Sequence, residues 1–350
     1  MHLPRRPSDF TSTWLSAALE AGRAAPANAV NAVSVVPLNM STGLTSDVYR
    51  LTPTYAPGVT GPPVIVAKMS SEDEVTAALG SSLRLFLREV KFFRELAGEA
   101  GIAVPKVYFA DSETDSGRYV LLLEPAGRVG DEHPPHDISA SEADRVLAAL
   151  AGMHAKWWNS ERLKEFPWLI SGTSHNYNAI VQRKFLQAWP GVVEIGETLG
   201  PKVARLYDRG SAPPATLTHG TPRPQNIYFR GDPGSPEVML ISWQVVGVRP
   251  GPWDVSYLLA VGLPVEERRT HEMRLLRRYH DLLLAGGIRD YPFERVTSEY
   301  RTGMLRLLVM ISIAEDNLDL STPAGRGLLD RYIERSVALR DWKCAEVVPL

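Results

Sequence analysis

Five short stretches of this chain hold side chains that could do chemistry. In Met40-Ser41-Thr42-Gly43-Leu44-Thr45-Ser46-Asp47-Val48-Tyr49-Arg50-Leu51, the small residues around Thr42 and Gly43 suit a turn whose backbone N–H groups approach phosphate oxygens. Val66-Ala67-Lys68 ends an apolar run on an ammonium group. Glu89 lies between Arg88 and Val90, just before Phe92 and Phe93. Those aromatics predict a partly buried position, and a buried carboxylate needs a partner. His219-Gly220-Thr221-Pro222-Arg223-Pro224-Gln225-Asn226 offers an imidazole, a hydroxyl at Thr221 and an amide at Asn226. Ile241-Ser242-Trp243-Gln244 offers a second hydroxyl. Neither of the last two stretches contains a carboxylate. A threonine hydroxyl is no base at neutral pH, and a serine hydroxyl is a weak, neutral metal ligand.

Other chemistries lack their residue patterns. There is no Walker A lysine motif, no dinucleotide glycine fingerprint and no Gly-x-Ser-x-Gly elbow, and Ser242 has none of the context of a hydrolase nucleophile. His133-Pro134-Pro135-His136 reads as a surface loop rather than a metal site, since it has no thiol partners. His271 and His280 fall in an arginine-rich helical stretch and read as solvated. The net charge of −2 and the absence of a polybasic tract predict no nucleic-acid partner and no anionic membrane surface. No apolar run reaches the ~18 residues of a membrane span, and the N-terminus lacks a secretory h-region. A single cysteine, Cys344, cannot close an internal disulfide and reads as an inert tail residue, which fits a reducing compartment. The expected location is the cytoplasm.

The elements that must position these residues follow from periodicity. Residues 9–23 show a helical stripe of Phe10, Trp14, Leu15, Ala18 and Leu19, with Ser8-Asp9 as its start signal. Val33–Leu38, Asp47–Leu51, Val64–Met69, Val107–Phe109 and Tyr119–Leu123 read as five strands, and Ser81–Ala97 as the one helix among them. Glu124-Pro125-Ala126-Gly127 breaks the pattern and marks a boundary. The remainder is mostly helical: Ser141–Trp158, Tyr177–Ala188, Lys202–Asp208, Val255–Ala260, Glu266–Ala285, Phe293–Asp316 and Gly325–Asp341. Short strands fall near Thr216-Leu217, Ile227–Phe229 and Val238–Ile241. The predicted class is α+β, with a small β-rich unit over 1–124 and a large, mainly helical one over 125–350.

This order of elements and motifs resembles the protein-kinase-like bilobal fold of the aminoglycoside and choline phosphotransferases, and within it the ecdysteroid-kinase-like branch. The resemblance runs from about Trp14 to past Leu259 and rests on the order and spacing of the motifs together. It implies that the hairpin with Thr42 and Gly43 covers a nucleotide, that Lys68 reaches the phosphates, and that Glu89 pairs with Lys68 to fix it. Tyr119–Glu124 would enter the hinge that receives adenine, shortened here because Pro125-Ala126-Gly127 follows Glu124 directly. Leu150–Trp158 resembles a structural helix end, with His154 as a hydrogen-bonding residue and Trp157 and Trp158 as packing residues. Gly251–Leu259 resembles the segment whose aspartate, here Asp254, ties the catalytic loop through backbone N–H groups. Two departures stand out. The family carries aspartate where this chain has Thr221, the position that orients or deprotonates the substrate hydroxyl. It also carries aspartate where this chain has Ser242, the position that bridges magnesium to the triphosphate. Asn226, the remaining magnesium ligand, is present.

A positioned general base contributes about 10²–10⁴ in rate, and magnesium adds further stabilisation of the transferring phosphoryl group. Losing both leaves little of a kinase's acceleration. Asp232 sits in a turn, Asp254 has a structural role and Glu124 lies at the hinge, so none replaces them. The sequence therefore predicts a kinase-like protein without ATP-dependent phosphoryl transfer. Its interlobe cleft would take a small organic substrate for metal-independent chemistry such as cyclisation, isomerisation or elimination, with Thr221, Ser242 and His219 as the candidate groups. A ligand-holding pseudokinase, with Lys68, Glu89 and Asn226 as residual nucleotide contacts, is the second reading. An active hydroxyl kinase is the third. No metal site is expected beyond the vestigial Asn226, and ATP and magnesium belong only to the third reading.

Overall fold

A computed structural model describes residues 1–38, 46–72, 77, 80–81, 84–113, 116–127, 137–169, 213–232, 234–307 and 322–346. Thr42 and Gly43, the His133–His136 stretch, the expected helices at 177–188 and 202–208, and the second half of the expected 293–316 helix lie outside these residues. The chain forms two compact units: Met1–His133 with Tyr228–Gln244, and Pro134–Ile227 with Val245–Leu350.

The first unit is built on a five-stranded antiparallel sheet. Its strands are β1 (Val30–Pro37), β2 (Ser46–Tyr55), β3 (Ile65–Ser70), β4 (Val107–Ser112) and β5 (Tyr119–Leu123), in the order β1-β2-β3-β5-β4. The two-residue period of a strand sends alternate side chains to opposite faces. Ile65, Ala67 and Met69 of β3 therefore join Val120 and Leu122 of β5 on one face, packed with Leu15, Ala18 and Leu19 of the helix Ser12–Ala21. Lys68 falls on the other face, in register with Val48 and Leu121. The first helix does not start at Ser8-Asp9. Thr11 is its N-cap, with Oγ1 accepting from Trp14 N–H at 3.1 Å, while Asp9 closes a separate 3₁₀ turn by accepting from the N–H groups of Arg5 and Arg6. The helix bearing Glu89 spans Leu85–Lys91 and continues as a π turn over Phe92–Leu96 and a 3₁₀ turn over Ala97–Glu99. A hairpin of β7 (Ile227–Arg230) and β8 (Glu237–Leu240) adds to this unit, where Leu240 N–H donates to Ala103 C=O at 3.0 Å.

In the second unit the helix Ala140–Lys156 begins at a reciprocal cap. Ser139 and Glu142 each accept from the other's backbone N–H. It packs along the helix Val265–Ala285, and the fully buried helix Pro252–Gly262 packs on Phe293–Met304. Two short strands, β6 (Thr216–Thr218) and β9 (Gly247–Arg249), pair antiparallel; periodicity alone misses β9, whose three residues are too few to show it. The expected Gly325–Asp341 helix is two, Pro323–Arg335 and Ala338–Asp341. Arg268 bridges Glu272 and Asp341, and Tyr300 also bonds Glu272, fastening the C-terminal segment. Cys344 is buried in that segment. No helix among the described residues is long and apolar enough to cross a membrane.

Candidate functional site

The chemical groups of the first unit converge through the backbone segment Ser242–Gln244. Glu89 is buried at 1% exposure, and its Oε2 lies 2.7 Å from Lys68 Nζ. Its second oxygen accepts from Trp243 N–H at 3.1 Å. The adjacent Arg88 donates to Gln244 C=O at 2.9 Å, and the Trp243 indole stacks on Phe92 with centroids 4.1 Å apart. Gln244 Nε2 reaches Ser46 Oγ at 3.2 Å, which also accepts from Tyr119 OH at 2.6 Å. These anchors on both flanks hold Ser242 itself at φ +66°, a left-handed conformation that non-glycine residues seldom adopt and that aspartate and asparagine tolerate better than most. The expected Lys68–Glu89 pair is thus present, and it is joined to the segment carrying Ser242 by a bond that sequence reading did not anticipate.

Glu124 follows β5 directly, but its carboxylate is already engaged. Oε1 accepts from Lys106 N–H at 2.9 Å and from the Arg230 guanidinium at 3.0 Å, so the residue ties the start of β4 to the β7–β8 hairpin. Asp47 is likewise committed, to Ser71 Oγ at 3.2 Å and Glu72 N–H at 2.9 Å. Asp232 caps its own turn by accepting from Gly234 N–H at 2.9 Å.

In the second unit the loop His219–Asn226 is built around Asp254, which is fully buried on the helix Pro252–Gly262. Asp254 Oδ2 accepts from His219 N–H at 2.7 Å, and Oδ1 from Gly220 N–H at 2.8 Å. His154 Nε2 stands 3.4 Å from Oδ2, while its Nδ1 pairs with Tyr279 OH at 2.8 Å. Burial opposes the charge on Asp254, yet the hydrogen bond to His154 and the fields of His154, His219 and Arg306 hold its pKa below the ordinary aspartate value. Gly220 has φ +94°, and a Cβ there would stand 2.5 Å from Val245 C=O, so only glycine fits the turn.

Beyond that turn the loop closes on itself. Thr221 N–H donates to His219 Nδ1 at 3.2 Å, and Asn226 Nδ2 donates to Thr221 C=O at 2.9 Å. Thr221 and Asn226 are buried to 8% and 5% exposure. His219 is fully buried with Nδ1 engaged, which makes it a group that shapes the loop rather than one that meets a reactant.

Sequence reading missed Arg306, whose Nη2 donates to Gly220 C=O at 2.6 Å. Its signal was a lone arginine inside the apolar run from Met304.

The loop of the second unit offers a hydroxyl at Thr221 and an amide at Asn226, and the first unit a hydroxyl at Ser242. Glu89, Glu124 and Asp47 of the first unit and Asp254 of the second each hold a neighbour in place. A hard dication such as Mg²⁺ is bound by carboxylates together with phosphates, and among the described residues no group of three or more His, Cys, Asp or Glu side chains could hold a metal ion.

Comparison with known proteins agrees with this architecture. Residues 171–286 match the model of the ecdysteroid kinase-like family. An uncharacterized kinase-like protein of Caenorhabditis elegans is 23% identical over 236 residues, a match spanning 62% of this chain and 62% of that protein. Among solved structures, a Ralstonia eutropha protein classed provisionally as an aminoglycoside phosphotransferase superposes with a TM-score of 0.55 at 16% identity, covering 95% of this chain and 99% of its own. The choline kinase LicA of Streptococcus pneumoniae does so with a TM-score of 0.52 at 15% identity, covering 93% and 98%. The sheet carrying Lys68, the helix carrying Glu89 and the Asp254-held loop are therefore those of a mixed α+β, kinase-like fold, and residues 171–286 are similar to the ecdysteroid kinase-like family.

Proposed function

We propose that this protein keeps the scaffold of a small-molecule phosphotransferase but does not perform Mg·ATP-dependent phosphoryl transfer. It acts instead on a small organic substrate through metal-independent chemistry of the cyclisation, isomerisation or elimination class. One observation carries this reading. The loop around Thr221 is fully braced by Asp254, Gly220 and Asn226, while the residue it presents is a hydroxyl in place of a carboxylate. A decaying site would lose its supports as well. Here the supports persist and only the acid–base and metal-binding groups differ, at Thr221 and at Ser242. A neutral hydroxyl can donate or accept a hydrogen bond to a polarised substrate but cannot take its proton at neutral pH.

The 2.7 Å Lys68–Glu89 pair favours a second reading, a non-catalytic protein that holds a nucleotide or other ligand. Titration calorimetry with ATP, with and without Mg²⁺, separates the readings, followed by assay for ADP release with alcohol acceptors. Neither binding nor turnover is the result expected for the metal-independent enzyme, and binding without turnover for the ligand holder. Mg²⁺-dependent ADP release by the wild-type chain would end both. The double variant Thr221→Asp with Ser242→Asp is expected to gain Mg²⁺ binding that the wild type lacks.

A further inference from the structure

Two of the buried arginines are answered by carboxylates, Arg268 by Glu272 and Asp341 and Arg335 by Asp137, while Arg88, Arg223 and Arg249 donate to neutral oxygens. Arg306 has no carboxylate of its own. It is buried to 5% exposure, and its Nη2 bonds Gly220 C=O while Nε and Nη1 have no hydrogen-bond partner. Asp254 lies within its field, but both oxygens of that carboxylate are occupied by loop N–H groups. Beside it sits Tyr257, 1% exposed, whose hydroxyl lies by that of Tyr332 without a well-formed hydrogen bond and which feels the charges of both Arg306 and Arg223. Arg223 in turn donates to Tyr332 OH at 2.9 Å. Two guanidinium groups and two phenols therefore gather against the loop that carries Thr221, and the open donors among them are two N–H groups of Arg306 and the Tyr257 hydroxyl.

A buried cation with unmet donors is costly unless an anion completes it. A planar guanidinium also offers parallel N–H groups matched to carboxylate and phosphate oxygens. We propose that the substrate handled at the Thr221 loop carries an anionic oxyacid group, a carboxylate or a phosphate, received by Arg306 and Tyr257 with Arg223 and Tyr332 beside them. This deepens the functional reading above and rests on it. The competing explanation makes Arg306 a brace only, bonded to Gly220 and set over the Trp253 ring at 5.6 Å. A brace would explain stability but not anion dependence.

The test uses the full chain in buffer free of nucleotide and divalent metal, so it stands or falls apart from the question of phosphoryl transfer. Inorganic phosphate and malonate are titrated by calorimetry and by thermal melting, with choline chloride at matched ionic strength as the cationic control. At least one anion is expected to bind and raise the melting temperature, while choline does neither. Preference for phosphate assigns a phosphate ester, and preference for malonate a carboxylate. Tyr257→Phe is expected to fold as well as the wild type and weaken anion binding about tenfold, the loss of one hydrogen bond to a charged group. Arg306→Gln should weaken it further. No binding of either anion at millimolar concentration would overturn the proposal, as would wild-type affinity in both variants.

Discussion

Replacing Asp254 with asparagine probes the support of the Thr221 loop at a single atom. In the wild type the two carboxylate oxygens accept from His219 N–H at 2.7 Å and Gly220 N–H at 2.8 Å. Asparagine keeps the shape and one acceptor, but its NH₂ group then faces a backbone N–H, donor against donor. Hydrogen bonds to charged groups contribute about 1.5–3 kcal/mol each. The substitution loses one outright, weakens the other, and removes the negative charge facing His154 and Arg306. Relief from burying a carboxylate offsets part of this, and a broken buried charge pair typically nets about 3–5 kcal/mol. A local loss of about 3 kcal/mol is expected, which is about two powers of ten in the opening equilibrium. Amide hydrogen exchange over residues 217–222 reads that opening directly, with the helix Val265–Ala285 as an internal reference. The pH dependence follows from the lowered pKa of Asp254. Its contribution is complete above the ordinary aspartate range near about pH 4, and it is lost as pH falls through the lower folded-state value. Wild-type protection should therefore decline in acid, while Asp254→Asn stays flat over that window. Exchange in the variant within about threefold of wild type, equivalent to less than ~1 kcal/mol, would refute the view that this carboxylate holds the loop.

Other expectations are as direct. Gly220→Ala should cost more than about 1 kcal/mol by thermal melting, because it meets both a positive φ and a carbonyl 2.5 Å from the new Cβ. Ser242→Gly should stabilise by up to about 1 kcal/mol and Ser242→Val destabilise, since a left-handed φ costs an L-residue about 1–2 kcal/mol. Lys68→Met should destabilise by about 3 kcal/mol by leaving Glu89 with a buried charge, and Lys68→Met with Glu89→Met should cost less than the sum of the single variants. Burial lifts the Cys344 thiol to about 12, so it should resist disulfide-exchange reagents in the native protein at mildly alkaline pH and react on unfolding.

Local pattern was enough for the five strands of the first unit and for most of the described helices, though not for β9, the start of the first helix or the break between Arg335 and Ala338. The sequence shows Lys68 ending an apolar run, and in β3 it lies on the face opposite Ile65, Ala67 and Met69. The phenylalanines beside Glu89 likewise announce a buried carboxylate in need of a partner, found 2.7 Å away at Lys68. The replacement of two expected carboxylates by Thr221 and Ser242 is also readable in one dimension, because it concerns residue type alone.

Tertiary structure decided what those groups can do. Glu124, read from sequence as a ligand contact, spends its carboxylate on Lys106 and Arg230, residues 18 and 106 positions away in the chain. His219 is enclosed and bonded to its own loop, a consequence of the turn at Gly220 that brings Thr221 N–H to its Nδ1. Arg306 looks like a flaw in an apolar helix until the fold sets it against Gly220. Such roles depend on contacts between residues far apart in sequence. Periodicity reports which face of an element is buried, but a hydrogen-bond partner is set only when elements meet.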